Sequence, residues 1–78
     1  MLRIQNLRDD GAKLYMDVLI EGSALDSYEL CVDQTDSIYP VLSSSIPNKY
    51  RLYERQARMA LRKYIGGDLP ETIVSSWY

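Results

Sequence analysis

Seventy-eight residues with one cysteine and no histidine close off several familiar chemistries. Cys31 has no partner within the chain for a disulfide, a zinc centre lacks its usual ligands, and Ser-His or Cys-His catalysis lacks its base. The net charge of −2 hides a segregation: residues 48–65 carry six basic side chains against Glu54, for +5, while the rest carries three against ten acids, for −7.

This length predicts a single small domain, residues 1–78, burying only about 60–65% of its unfolded surface. Small chains without a disulfide or metal rely on close packing or on a partner subunit, so self-association is expected by elimination. The N-terminal stretch lacks the continuous apolar core of a secretory signal, and no run approaches the roughly 20 apolar residues of a membrane span. Together with the single cysteine, this predicts a cytoplasmic protein without membrane contact. Seven tyrosines and one tryptophan occur without any phenylalanine. Such usage suits positions where one end of a ring is buried and the other is wet.

Leu2–Leu7 reads as a first strand with Leu2 and Ile4 on one face. Asp9-Asp10-Gly11 then signals a hairpin turn. Leu14–Ile20 alternates cleanly, with Leu14, Met16, Val18 and Ile20 on one face and Tyr15, Asp17 and Leu19 on the other, which predicts the central strand. Ser27–Val32 follows, with Tyr28, Leu30 and Val32 inward and Glu29 and Cys31 outward. Ser37–Leu42 is expected as a short edge strand, because Pro40 is costly in a central one.

Asn48–Ile65 is the long helix. Asn48 or Ser45 is its expected N-cap, and Gly66-Gly67 its left-handed stop. At 100° per residue, Tyr50, Tyr53, Ala57, Ala60, Leu61, Tyr64 and Ile65 form the core face. Glu54 is placed to pair with Arg58 at i,i+4. Residues 69–78 satisfy two patterns. Asp68 to Glu71 resembles a capping box for a short helix, while Thr72, Ile73, Val74, Trp77 and Tyr78 favour a last strand. The strand is the preferred reading, with the aromatic tail docked. The fold class is therefore α+β: an antiparallel sheet of three to five strands with one long helix on one face, in the order βββ(β)αβ.

No catalytic, cofactor or metal residues are expected. Asp9-Asp10 and Asp33 to Asp36 read as turn initiators rather than a calcium loop. Cys31, next to Glu29 and Asp33, has no base to activate it. The distinctive feature is the outer helix surface. Arg51, Arg55, Arg58 and Arg62 form a stripe, and Leu52 and Met59 lie beside it, away from the core face. The stripe has three readings: solvated, bridging sheet acids such as Asp17, Glu29 or Asp33, or binding a partner. Arg51, Leu52, Arg55, Arg58, Met59 and Arg62 are the candidate interaction face. The expected function is non-enzymatic protein association, including with a second copy. The alternative is a nucleic-acid-binding accessory role through the arginines, which the acidic net charge opposes.

Overall fold

The Asp-Gly turn does what its residues predict. Gly11 takes φ 97° and joins β1 (Leu2–Asp9) to β2 (Lys13–Ile20) in an antiparallel hairpin. The computed structural model describes residues 1–64 and 67–76. It continues through β3 (Ser27–Asp33), β4 (Val41–Ser44), α1 (Arg51–Arg62) and β5 (Thr72–Ser75). All pairings are antiparallel, and the strand order is β4-β3-β2-β1-β5. The architecture is thus α+β, an antiparallel five-stranded sheet with one helix. Because β4 and β5 are opposite edges, the segment between them must cross the sheet. That crossing lays α1 over the apolar face.

The core lies between these layers. Leu2, Ile4, Leu14, Met16, Val18, Ile20, Leu30, Val32 and Ile73 are buried on the sheet side, and Ala57, Ala60 and Leu61 on the helix side. The two alanines let α1 approach closely while Leu61 fills the space between strands. No polar or charged residue among those described is buried. Leu19 and Cys31 belong to the opposite face, yet they are only 4% and 2% exposed. In register they lie beside Arg3 and Tyr15, side chains long enough to shield a central position.

One irregularity in β1 sets the placement of two side chains. Gln5 pairs with Asp17 and Arg8 with Tyr15, so β1 carries one extra residue there. Asn6 supplies it in the left-handed region, at φ 56°, and its amide donates to Asp17 Oδ2 at 3.1 Å. Asparagine tolerates this conformation better than most residues. The bulge turns Leu7 toward the core cluster and Arg8 to the far face, 3.7 Å from Asp17 and 3.5 Å from Glu29.

The loops obey turn chemistry. The Asp10 carboxylate accepts from Lys13 N–H at 2.7 Å, and Asp36 accepts from Ile38 N–H at 3.1 Å. Gln34 ties the third strand's loop to the first hairpin: its amide donates to the Asp9 carboxylate and to the Gly11 carbonyl at 3.0 Å. The Gly11 N–H, and after it Gln34, holds the Asp9 carboxyl below its ordinary range. The Thr35 hydroxyl and N–H do the same for Asp33.

Several boundaries depart from expectation. Ser37–Leu42 is not a strand as a whole. Residues 36–39 form a turn, with Tyr39 N–H bonded to the Asp36 carbonyl at 2.9 Å, and β4 starts after Pro40. Neither Asn48 nor Ser45 caps α1. Asn48–Tyr50 is a 3-10 turn started by Pro47, and no side chain caps α1 itself. Ser45 Oγ instead accepts from Glu29 N–H at 2.8 Å. At the other end, α1 stops at Arg62 and tightens, with Tyr64 N–H on the Leu61 carbonyl at 3.0 Å. Gly67 is not left-handed, so it does not make the expected stop. Gly66 and Ile65 lie outside the described residues. The capping box is absent, and Thr72–Ser75 pairs with β1 as the preferred strand. Trp77 and Tyr78, the docked tail of the sequence reading, also lie outside the described residues.

Two outcomes are expected. Asn6→Gly should leave stability nearly unchanged, whereas Asn6→Val should lower it by about 1–2 kcal/mol, read from urea denaturation, because a branched side chain resists this conformation. The depressed carboxyls set a pH dependence. Their contribution is present above the unfolded carboxylate pKa and is lost as pH falls through the lower folded value. Asp9→Asn should therefore flatten the loss of stability as pH falls below about 4.

Candidate functional site on the helix face

The sequence Arg51–Arg62 contains no glycine, proline or β-branched residue, so local preference and packing agree on a helix. Its stripe divides into two halves. Arg58 is partly buried and reaches across to the loop before β4. Its Nε donates to the Tyr39 carbonyl at 2.9 Å and its Nη2 to the Ile38 carbonyl at 3.2 Å. Arg62 Nη2 adds a longer contact of 3.4 Å to the same Ile38 carbonyl. The receiving segment is strained: Tyr39 is left-handed at φ 49°, although its ring is buried in the core. A non-glycine residue in that region costs about 1–2 kcal/mol. Charged hydrogen bonds of roughly 1.5–3 kcal/mol offset it.

Arg51 and Arg55, by contrast, are exposed and make no hydrogen bond or ion pair among the described residues. Glu54 does not pair with Arg58 either, whose guanidinium is already engaged. The bridges to sheet acids also do not form. Asp17 and Glu29 lie on the far face with Arg8, and Asp33 accepts from Thr35. All six candidate residues are nevertheless brought together. Arg51, Glu54, Arg55, Arg58, Met59 and Arg62 line a shallow groove of about 600 Å³, with Leu52 on the same outer surface. Leu52 is 53% exposed and Met59 44%.

Sequence reasoning missed Ile38. It is 50% exposed, and its carbonyl is held by Arg58 and Arg62, so an apolar side chain sits at the margin of the arginine stripe. The expected edge strand Ser37–Leu42 hid it, because Ile38 reads there as one apolar residue of a strand.

At the start of the helix, tyrosines anchor α1 to the sheet. Tyr50 meets Tyr28 with ring centroids 6.0 Å apart and Tyr53 edge-on at 5.6 Å, while Lys49 Nζ sits 5.0 Å from the Tyr50 centroid. The Tyr53 hydroxyl donates to Glu21, which also takes the Met1 ammonium at 2.9 Å. Burial, and then the Asp26 charge, pushes the Tyr28 hydroxyl above its ordinary value. This end of α1 is structural.

No helix among the described residues is long and apolar enough to cross a membrane, and no group of acids and cysteine there is arranged to hold a metal ion. No family model, curated protein or solved structure matches the chain, so its function is argued from its own surface.

The two halves of the stripe should respond differently to substitution. Arg58→Gln is expected to lower stability by about 1–3 kcal/mol, because two carbonyls of a strained turn lose a charged donor. Arg58→Lys keeps the charge but not the fork, and should lose most of the same amount. Arg55→Gln should stay within about 0.5 kcal/mol of the parent in the same chemical denaturation series.

Proposed function

We propose that this chain is a non-enzymatic association domain whose outer helix face binds protein, including a second copy of itself. The observation that carries the reading is the company Leu52, Met59 and Ile38 keep. Each is about half exposed, and all lie by an arginine stripe in which Arg51 and Arg55 have no partner among the described residues. Single exposed apolar residues are ordinary. A group of them beside arginines has the composition of a contact surface, where methionine and arginine are enriched and lysine depleted. The chain lacks the histidine that acyl-transfer catalysis at neutral pH most often uses, and its cysteine is buried. A reducing cytoplasm is the compartment that a lone free thiol fits.

The groove is shallow, so it suits a side-chain interface better than an enclosed small molecule. Phosphate recognition is the competing use of the same arginines. It would draw on two free guanidiniums against an acidic whole.

Light scattering over about 1–200 μM should show a mass that rises with concentration, and the melting temperature should rise with it. Leu52→Glu with Met59→Glu should return the protein to a constant monomer mass without altering its far-UV spectrum. A constant monomer mass for the parent removes self-association. Duplex binding tighter than about 1 μM, with log affinity falling about 2 units per unit log salt for the two free guanidiniums, would assign the face to nucleic acid instead.

A further inference from the structure

We infer that the surface receiving the helix face is the acidic end of a second copy, so that copies join head to tail; this rests on the self-association proposed above. Four receivers are available on the chain. Of these, the β2–β3 connection exposes Leu25, but its acids Glu21 and Asp26 already hold the Met1 ammonium and the Tyr28 hydroxyl. The helix face itself is a poor one, since the 48–65 segment carries +5 and would meet +5. The far face of the sheet is a poor one too, because its acids Asp17 and Glu29 already hold Arg8 at 3.7 and 3.5 Å. What remains is the end of the sheet where the hairpin turn, the residue 33–39 loop and the segment before β5 converge.

That end collects unmatched charge. Asp9, Asp68 and Glu71 border one cleft of about 630 Å³ whose floor includes Leu7, Tyr39 and Leu69. Asp68 and Glu71 are exposed and make no hydrogen bond or ion pair among the described residues. A cleft lined by apolar groups and three carboxylates is the charge inverse of the helix face. There, Leu52 and Met59 are apolar, and Arg51 and Arg55 are cations without partners among the described residues. Methionine adapts to an irregular floor, and guanidiniums pair bidentately with carboxylates.

Placement decides the assembly. Tyr64 and Gly67 line the cleft beyond the C-terminal end of α1, whereas Arg51 begins the helix, about 17 Å away at about 1.5 Å per residue. Each copy therefore offers one donor surface and one receiver at separated positions. A contact that uses one donor and one receiver per pair of copies is heterologous. It adds copies without limit unless the rotation closes a ring, in contrast to a two-fold dimer that stops at two.

Charge-swap complementation tests this on the whole chain. Arg51→Glu with Arg55→Glu changes exposed residues and places acids at the helix N-terminus, where they are tolerated. Asp68→Lys with Glu71→Lys changes two carboxylates that hold no hydrogen bond or ion pair among the described residues. Each double variant alone should remain a monomer at concentrations where the parent associates, and an equimolar mixture should recover the parent's mass. The parent's own association should weaken about tenfold or more between about 0.05 and 0.5 M salt, an outcome independent of any variant. If the lysine variant alone associates like the parent while the glutamate variant does not, the helix face stands and the acidic end is not its receiver. Association insensitive to both variants and to salt overturns the inference while leaving self-association intact, and a parent that is monomeric throughout removes both.

Discussion

One apolar face with a single helix to cover it is the constraint from which most of this structure follows. Five strands at about 4.8 Å spacing span about 19 Å between the outer axes, and a helix with its side chains is only about 10 Å across. The segment that crosses from the β4 edge to the β5 edge brings α1 against β1 and β5, with Ala57, Ala60 and Leu61 in the core. The margins are covered by half-wet groups: Tyr28, Tyr50, Tyr53 and Tyr64 pack against the core without being fully buried. Tyrosine serves there because its ring joins the core while its hydroxyl meets water or a carboxylate, as Tyr53 meets Glu21. Four of the seven tyrosines take such margin positions.

The same crossing explains why the arginine stripe has two jobs. Arg58 and Arg62 lie where the helix passes the loop before β4, and that loop ends in a left-handed tyrosine whose carbonyl Arg58 holds. Arg51 and Arg55 lie upstream of that point. Identical side chains on one flank thus differ in role because only part of the flank faces the chain's own backbone. The acids divide likewise. Asp17 and Glu29 share Arg8 on the far face, and that arrangement depends on the Asn6 bulge, which turns Arg8 outward.

The pattern of alternation in Leu14–Ile20 and Ser27–Val32 made the sheet legible, because one buried face leaves a period of two in the residues. The helix core face was legible for the same reason, with Ala57, Ala60 and Leu61 buried where the wheel puts them. Boundaries were less so. Pro40 marks the edge of the sheet but does not say on which side of it the strand lies, and the strand begins after it. The bulge left only Asn6 as a trace, since asparagine is at home in many turns and loops. The anchoring of Arg58 had no trace at all, because its acceptors are backbone carbonyls, which every residue carries.

The sheet edges bear on how such a protein would meet another copy. An unpaired edge is the usual route for strands to associate, and proteins blunt it with short or bulged edge strands. Both edges here are four residues long, and β4 is further interrupted: Cys31 pairs with Ser43 but Val32 with Val41, leaving Leu42 as the extra residue. Backbone pairing between copies would have few consecutive hydrogen bonds to offer at either side. The side-chain surfaces carry no such handicap. On them lie the exposed Arg51, Arg55, Leu52 and Met59, and across the molecule the carboxylates of Asp68 and Glu71. A sheet that discourages edge pairing leaves the helix face and the acidic cleft as the surfaces through which association is governed by charge, and hence by salt.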